Sequence, residues 1–205
     1  MPVKRHLTAE QRRERTVETV IELCGQEEPA TITTGEIARQ MGVTQGALFR
    51  HFPSKDAIWE AVVDWVGKRV MQRLDAAAAG AGAPLEALEA MFMAHVEFIA
   101  EHPGVPRLLL GQLQHARPTP ARRMVRSLLF LYRERVEGLL LRAREAGQLR
   151  AGLDLEAAAL QFIGSIQGLV IQSLMAGEVG RILDQAPGVF AIYRHGIAAD
   201  GEEHP

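Results

Sequence analysis

Gln45, Arg50 and Lys55 lie in one short run, TTGEIARQMGVTQGALFRHFPSK, that extends from Thr33 to Lys55. The neighbouring hydroxyl and amide of Thr44 and Gln45 are groups that reach base edges in a DNA groove, and guanidinium and ammonium groups neutralise phosphates. From Ile37 to Lys55 the basic residues are Arg39, Arg50 and Lys55, and no Asp or Glu intervenes. Phosphate neutralisation supplies the sequence-independent part of DNA affinity. This local excess therefore matters more than the net charge of −2 on the whole chain. The residue types point to a surface that binds double-stranded DNA.

Such a surface needs elements to hold it. Thr33 and Glu36 stand three apart, the capping-box spacing that opens a helix. Ile37, Ala38 and Met41 give that helix an apolar face, and Gly42 can take the positive φ that ends it and turns the chain. Val43 is expected to fill the elbow, and Thr44 to cap a second short helix carrying Gln45, Gly46, Ala47, Leu48 and Phe49. Two short helices joined so tightly make a helix-turn-helix, whose second helix enters the major groove by its N-terminal residues. Gly46 and Ala47 are small enough to let that backbone approach the groove floor. Pro53 and Ser54 mark the next helix start, with Ser54 as its cap. Lys55 falls in the first turn, where a cation opposes the helix dipole. A phosphate partner accounts for that placement; an ordinary exposed lysine is the alternative.

With these residues in place, the sequence resembles the TetR family of bacterial one-component transcriptional regulators. The matching run is IARQMGVTQGALFRHFPSKDAI, with Ile-Ala, Gly-Val-Thr, Gly-x-Leu-aromatic, His-Phe and Ser-Lys in that order. The resemblance implies an all-α fold with a three-helix DNA-binding domain over residues 1–53. Residues 54–205 would form a helical domain for effector binding and dimerisation. It implies DNA contacts from Thr33, Thr34, Thr44, Gln45, Gly46, Ala47, Phe49, Arg50, His51 and Lys55. Phe49 stands where family members usually carry tyrosine, and the missing hydroxyl leaves it only stacking or packing. The partners implied are a double-stranded DNA operator, a second copy forming a homodimer, and a small hydrophobic effector.

The rest of the chain reads as helix after helix, about nine in all by apolar periodicity. Thr8 with Gln11 opens the first, whose buried stripe is Val17, Val20, Ile21 and Cys24; a basic arm with Lys4, Arg5 and His6 precedes it. Arg12, Arg13 and Arg15 either touch phosphates or form a solvated face with Glu10, Glu14 and Glu18. The helix from Lys55 is expected to run to about Asp75, before a break over residues 76–84. Further helices are expected over 84–101, from a break bracketed by Pro103 and Pro106 to near Leu113, and over 121–146, 154–176 and 186–198. The helix after Asp154 is apolar nearly all round, so it must be covered on both sides. Leu160, Gly164, Gly168, Ile171 and Met175 mark one side as the candidate dimer interface, with Phe162, Ile166, Leu169 and Leu174 turned to the core. A polar tail follows from Asp200.

A single cysteine cannot close an internal disulfide, which fits a reducing cytoplasm. The N-terminal residues lack the apolar core of a secretory signal. The least polar run, 157–176, is interrupted by Gln161, Ser165, Gln167, Gln172 and Ser173, so no membrane span is expected. His6, His51, His95, His102, His115, His195 and His204 show no metal-ligand spacing, and no glycine loop cradles a phosphate before a helix. Neither an enzyme nor a cofactor is expected. Trp59, His95 and Tyr132 are candidates for lining an effector chamber, although such residues equally serve as core. The reading favoured is a ligand-responsive repressor released from a palindromic operator by a small hydrophobic effector. Two others remain: a regulator without an effector, and an all-helical enzyme or interaction protein whose Thr33–Lys55 region merely packs.

Overall fold

The computed structural model describes residues 8–114 and 116–199. The arm with Lys4, Arg5 and His6, the residue His115, and the tail with Asp200 and His204 lie outside the described residues. The architecture is all α: α1 (Ala9–Gln26), α2 (Thr34–Gln40), α3 (Gln45–Phe49), α4 (Lys55–Ala79), α5 (Pro84–Glu101), α6 (Gly104–Gln114), α7 (Pro120–Glu145), α8 (Leu155–Ala176) and α9 (Ile182–Ile197). A 3₁₀ turn at Val179–Arg181 precedes α9, and an isolated bridge pairs Leu149 with Ala198. Two compact units result: Met1–Lys68 with His102–Arg126, and Arg69–Glu101 with Ser127–Pro205. The division passes within α4 and within α7, so each of these long helices contributes to both.

In the first unit, the Thr8 hydroxyl accepts from the Gln11 amide while the Gln11 side chain accepts from the Thr8 amide, closing the expected capping box. Val17, Val20, Ile21 and Cys24 are buried beneath α1. Burial pushes the Cys24 thiol up to about 12, so it behaves as a small protonated hydrophobe. The helix α6 lies directly on α1. A Cβ added at Gly104 would fall inside the Ile21 carbonyl oxygen and 2.8 Å from the Gly25 nitrogen, so only glycine permits this approach of two backbones. Farther along α6, a Cβ on Gly111 would sit 3.5 Å from the Pro29 Cβ, against the loop that leads into α2. Residues distant in sequence thus join the helix-turn-helix in one unit.

The second unit is built around an aromatic cluster. Phe92 of α5 meets Phe162 of α8 edge-on at 5.4 Å, and Phe190 of α9 at 5.3 Å; Tyr193 of α9 meets Phe162 at 5.6 Å. The Tyr193 hydroxyl donates to the Ala158 carbonyl at 3.1 Å, which satisfies its polar tip inside the core. Asp154 caps α8 by accepting from the amides of Glu156 and Ala157. By length and composition alone α8 could cross a membrane. Its packing against α9 and α5 explains the apolarity of one side.

Several boundaries differ from those read in the sequence. The helix from Lys55 continues to Ala79 instead of ending near Asp75, because residues 76–79 are alanines, the strongest helix formers, and the break waits for Gly80. Pro106 does not break α6: it lies in the first turn, where a missing amide loses no intrahelical bond. The last helix begins at Ile182, not 186, and carries Pro187 inside it. Ile182 is fully buried, and that anchorage outweighs the one hydrogen bond a proline removes. Val43 does not fill the elbow; it is 42% exposed, and Ala38 and Leu48 are the buried residues there.

Candidate nucleic-acid interface

The helix-turn-helix is built from its caps inward. Thr33 accepts from the Glu36 amide, and Glu36 accepts from the Thr33 amide at 2.7 Å. That amide holds the Glu36 carboxyl below the ordinary carboxylate range, with the Thr33 hydroxyl adding to the effect. At the far end Gly42 has φ +67°; its amide donates to the Arg39 carbonyl and the Val43 amide to the Ala38 carbonyl. This paired closure is a Schellman motif, and it satisfies the orphan carbonyls of α2 while reversing the chain. The Thr44 hydroxyl then accepts from the Ala47 amide and starts α3.

The capped turn leaves one set of side chains in solvent. Thr33, Thr44, Gln45, Gly46, Phe49 and Arg50 are exposed; Thr34, Ala47, His51 and Lys55 are half-buried; Leu48 is buried and anchors α3. A Cβ on Gly46 would meet nothing within 4 Å, so this glycine leaves open space at the helix surface. Phe49 is 41% exposed and offers a bare ring. Gln45 is oriented by its own unit: its side-chain nitrogen donates to the Thr34 hydroxyl at 2.6 Å. One amide proton is used by that bond. A second proton and the carbonyl oxygen remain, the pair of groups that can read one adenine edge.

Arg13 is a structural residue that sequence reasoning missed. Its guanidinium donates to the His51 carbonyl at 2.7 Å and lies 4.5 Å over the Phe52 ring. It therefore ties α1 to the segment joining α3 to α4. No local pattern signals a contact across 38 residues. Lys55 stands 6.0 Å over the Trp59 ring, while Ser54 caps α4 by accepting from the Ala57 amide.

Of the three effector-lining candidates, His95 and Tyr132 meet in the second unit, and Trp59 belongs to the first. The His95 Nδ1 lies 3.0 Å from the Tyr132 hydroxyl, and the two rings meet edge-on at 5.1 Å. Tyr132 continues the aromatic cluster to Phe162 at 6.3 Å. Burial drives the His95 imidazole down to about 4 and the Tyr132 phenol upward, so both stay neutral and form a polar pair within an apolar wall. On α8, Leu160 is 64% and Met175 79% exposed, and Gly164, Gly168 and Ile171 share their face; Phe162, Ile166 and Leu169 are buried opposite, with Leu174 half-buried. On α9, Ile192 is 75% exposed.

Comparison with known proteins agrees with this geometry. Residues 18–62 match the description "Bacterial regulatory proteins, tetR family", and residues 84–182 match "Tetracyclin repressor-like, C-terminal domain". The nucleoid occlusion factor SlmA of Vibrio cholerae is 29% identical over 162 residues, which cover 77% of this chain and 81% of that protein. Among solved structures, the transcriptional regulator FadR of Bacillus subtilis in complex with stearoyl-CoA superposes with a TM-score of 0.78 at 18% identity, over 90% of this chain and 98% of that one. SmeT, the repressor of the Stenotrophomonas maltophilia multidrug efflux pump SmeDEF, superposes in its triclosan complex with a TM-score of 0.76 at 22% identity, over 92% of both chains. At such identities these structures share the fold. The two matched regions together take in both the helix-turn-helix and the helices behind it, and the chain belongs to the TetR family of bacterial DNA-binding transcription regulators.

Proposed function

We propose that this protein acts in the cytoplasm as a homodimeric repressor, held on a palindromic operator and released by a small, largely apolar effector. In this reading residues 1–53 read DNA, and residues 54–205 bind the effector and the second copy. The observation that carries it is the exposed start of α3, where Gln45 is pre-oriented by Thr34, with Arg50 at the end of that helix and Lys55 opening α4. One such helix reads a half-site; two related by a twofold axis read a palindrome with half-sites roughly 34–36 Å apart. Support for the second copy comes from the exposed apolar stripe of α8, since a twofold interface uses one self-complementary patch twice. Support for an apolar effector comes from the His95–Tyr132 pair set in aromatic surroundings, and from the stearoyl-CoA and triclosan held by two relatives in fold.

Selection of bound duplexes from random oligonucleotides tests the reading. Two inverted half-sites one helical turn apart are the expected product; a single unpaired half-site, or no enrichment, overturns it. Hydrophobic compounds are then screened by thermal shift and by release of the recovered operator. A bound compound that leaves operator affinity unchanged removes the effector step, because a ligand shifts an equilibrium only by its differential affinity. The relative named as a nucleoid occlusion factor supports a second reading, in which the protein marks chromosomal DNA and does not govern a promoter. Mapping bound sites in cells separates the two: sites dispersed over the chromosome favour the second, and one or a few promoters the first.

A further inference from the structure

From His102 to Arg126 the chain carries Arg107, Arg117, Arg122, Arg123 and Arg126, and no Asp or Glu. This segment belongs to the unit of the helix-turn-helix. Residues 1–68 hold nine Lys or Arg against ten Asp or Glu, so the five added arginines bring that unit to +4. With −2 for the whole chain, the other unit is left at −6. The positive charge of the DNA-reading unit thus comes from α6, the loop after it and the start of α7.

The arginines stand where local electrostatics opposes them. Arg122 and Arg123 fall in the first turn of α7, which has no acidic residue, and Arg126 adds a like charge one turn later. Cations at the positive end of a helix dipole, and like charges at i,i+4, both lower helix stability unless an anion faces them. Arg107, Arg117, Arg123 and Arg126 are exposed, and among the described residues none of the four forms an ion pair. Arg123 donates to the Pro118 carbonyl at 3.1 Å, which ties the loop to the helix. Farther along α7 the pattern is ordinary: Arg133 reaches Glu137 and Glu156, and Arg135 reaches Asp75. The unopposed arginines also have a definite place. Gly111 of α6 abuts Pro29, in the loop that enters α2 at Thr33, and the arginine-bearing loop leaves α6 a few residues later.

We propose that Arg117, Arg123 and Arg126 form a second phosphate-binding surface, which grips duplex DNA beyond the bases read by α3. The inference rests on the helix-turn-helix reading DNA. Because α6 is locked to α1 at Gly104, the arginines move with the recognition helix and act on the same duplex. They add affinity and salt dependence without adding base preference.

The test measures binding of the full-length protein to a long random-sequence duplex across about 50–200 mM salt. Arg117→Gln/Arg126→Gln should flatten the slope of log affinity against log salt by about 1.8, making the affinity lost over that range roughly twelvefold smaller. Arg117→Lys/Arg126→Lys should keep the wild-type slope, and Lys55→Ala, reporting on the helix-turn-helix, should flatten it by about 0.9. If the glutamine pair keeps the wild-type slope while Lys55→Ala flattens it, the second surface is overturned and the first stands. If neither changes the slope, the second surface is overturned and Lys55 also leaves the set of phosphate contacts. Equal flattening by the glutamine and lysine pairs also overturns the proposal, since charge would not be the cause; matching circular dichroism melts establish that all variants are folded.

Discussion

Gly104→Ala should open the seam between α1 and α6. The added methyl would fall inside the Ile21 carbonyl oxygen, 2.8 Å from the Gly25 nitrogen and 3.0 Å from the Ile21 carbonyl carbon. All three are backbone atoms, so no side-chain rotation relieves the overlap and the two helices must separate until contacts reach the ordinary 3.4–4 Å. Overpacking of this kind costs about 1–3 kcal/mol, and a gap of about 0.5–1 Å along the rest of the seam forfeits part of its dispersion energy as well. Gly104 has no positive φ, so packing alone demands the glycine. The partner position behaves differently: a Cβ at Gly25 meets Gly104 backbone atoms at 3.7 and 3.8 Å, ordinary contacts, and alanine favours a helix over glycine by up to about 1 kcal/mol. The two substitutions should therefore have opposite signs. Urea unfolding at constant slope measures both midpoints. A Gly104→Ala midpoint equal to or above wild type would refute the reasoning.

Three other outcomes follow from the site geometry. Gln45→Ala should relax preference at one base pair by about 1–3 kcal/mol, and Thr34→Val, which removes the acceptor that orients the amide, should do so by less; competition between single-base operator variants measures both, and an unchanged preference in Gln45→Ala takes that residue out of the reading set. Burial holds the folded-state His95 at about 4 against an ordinary 6.5, so the unfolded chain takes up the proton first as pH falls. Stability present above pH 6.5 should be lost between 6.5 and 4 at up to about 1.4 kcal/mol per pH unit, and His95→Phe should remove that component; parallel wild-type and variant curves would contradict it. Gly168→Arg should sediment as a monomer and lose operator binding with Gln45 and Arg50 intact, whereas a folded dimer on its operator would place the interface elsewhere.

Legibility in the sequence followed the range of the forces involved. Both capping boxes, the Gly42 turn and the Thr44 cap are contacts between residues a few positions apart, and all were readable from residue type and spacing. The split of α8 into a buried face with Phe162 and Ile166 and an exposed one with Leu160 and Met175 followed from helical periodicity. Long-range contacts were not readable. Nothing near Arg13 announces His51 and Phe52, and Gly104 reads as a break after Pro103 until the Ile21 carbonyl lies against it. Tertiary packing also overrode local signals at Ile182, whose burial carries α9 through a proline. At Val43 hydrophobicity misled, because the turn needs that residue's amide and leaves its side chain in water.

The apolarity of α8 has two explanations, a bilayer or a second copy, and its residue pattern separates them. Ala157, Leu160, Gly164, Gly168, Ile171 and Met175 recur at steps of three and four, the spacing of one helical face, and all six are exposed. Gln161, Gln167 and Gln172 are exposed beside that stripe, and a lipid-facing surface would leave their amides without partners. A Cβ at Gly164 or Gly168 would meet nothing within 4 Å, so the stripe has a shallow, flat centre with larger side chains toward its ends. Lipid chains have no need of such relief, whereas a helix of a second copy can lie close along it and cover Leu160 and Met175. Full burial of a Leu or Met side chain is worth about 1.5–3 kcal/mol, and a twofold axis counts each gain twice. Isolated exposed apolar residues need no explanation, but a continuous stripe on α8, with Leu183 and Ile192 exposed on the α9 packed beside it, is the surface that the proposed homodimer would bury. The proposed palindrome asks for that association from the DNA side, because a single α3 spans only half of it.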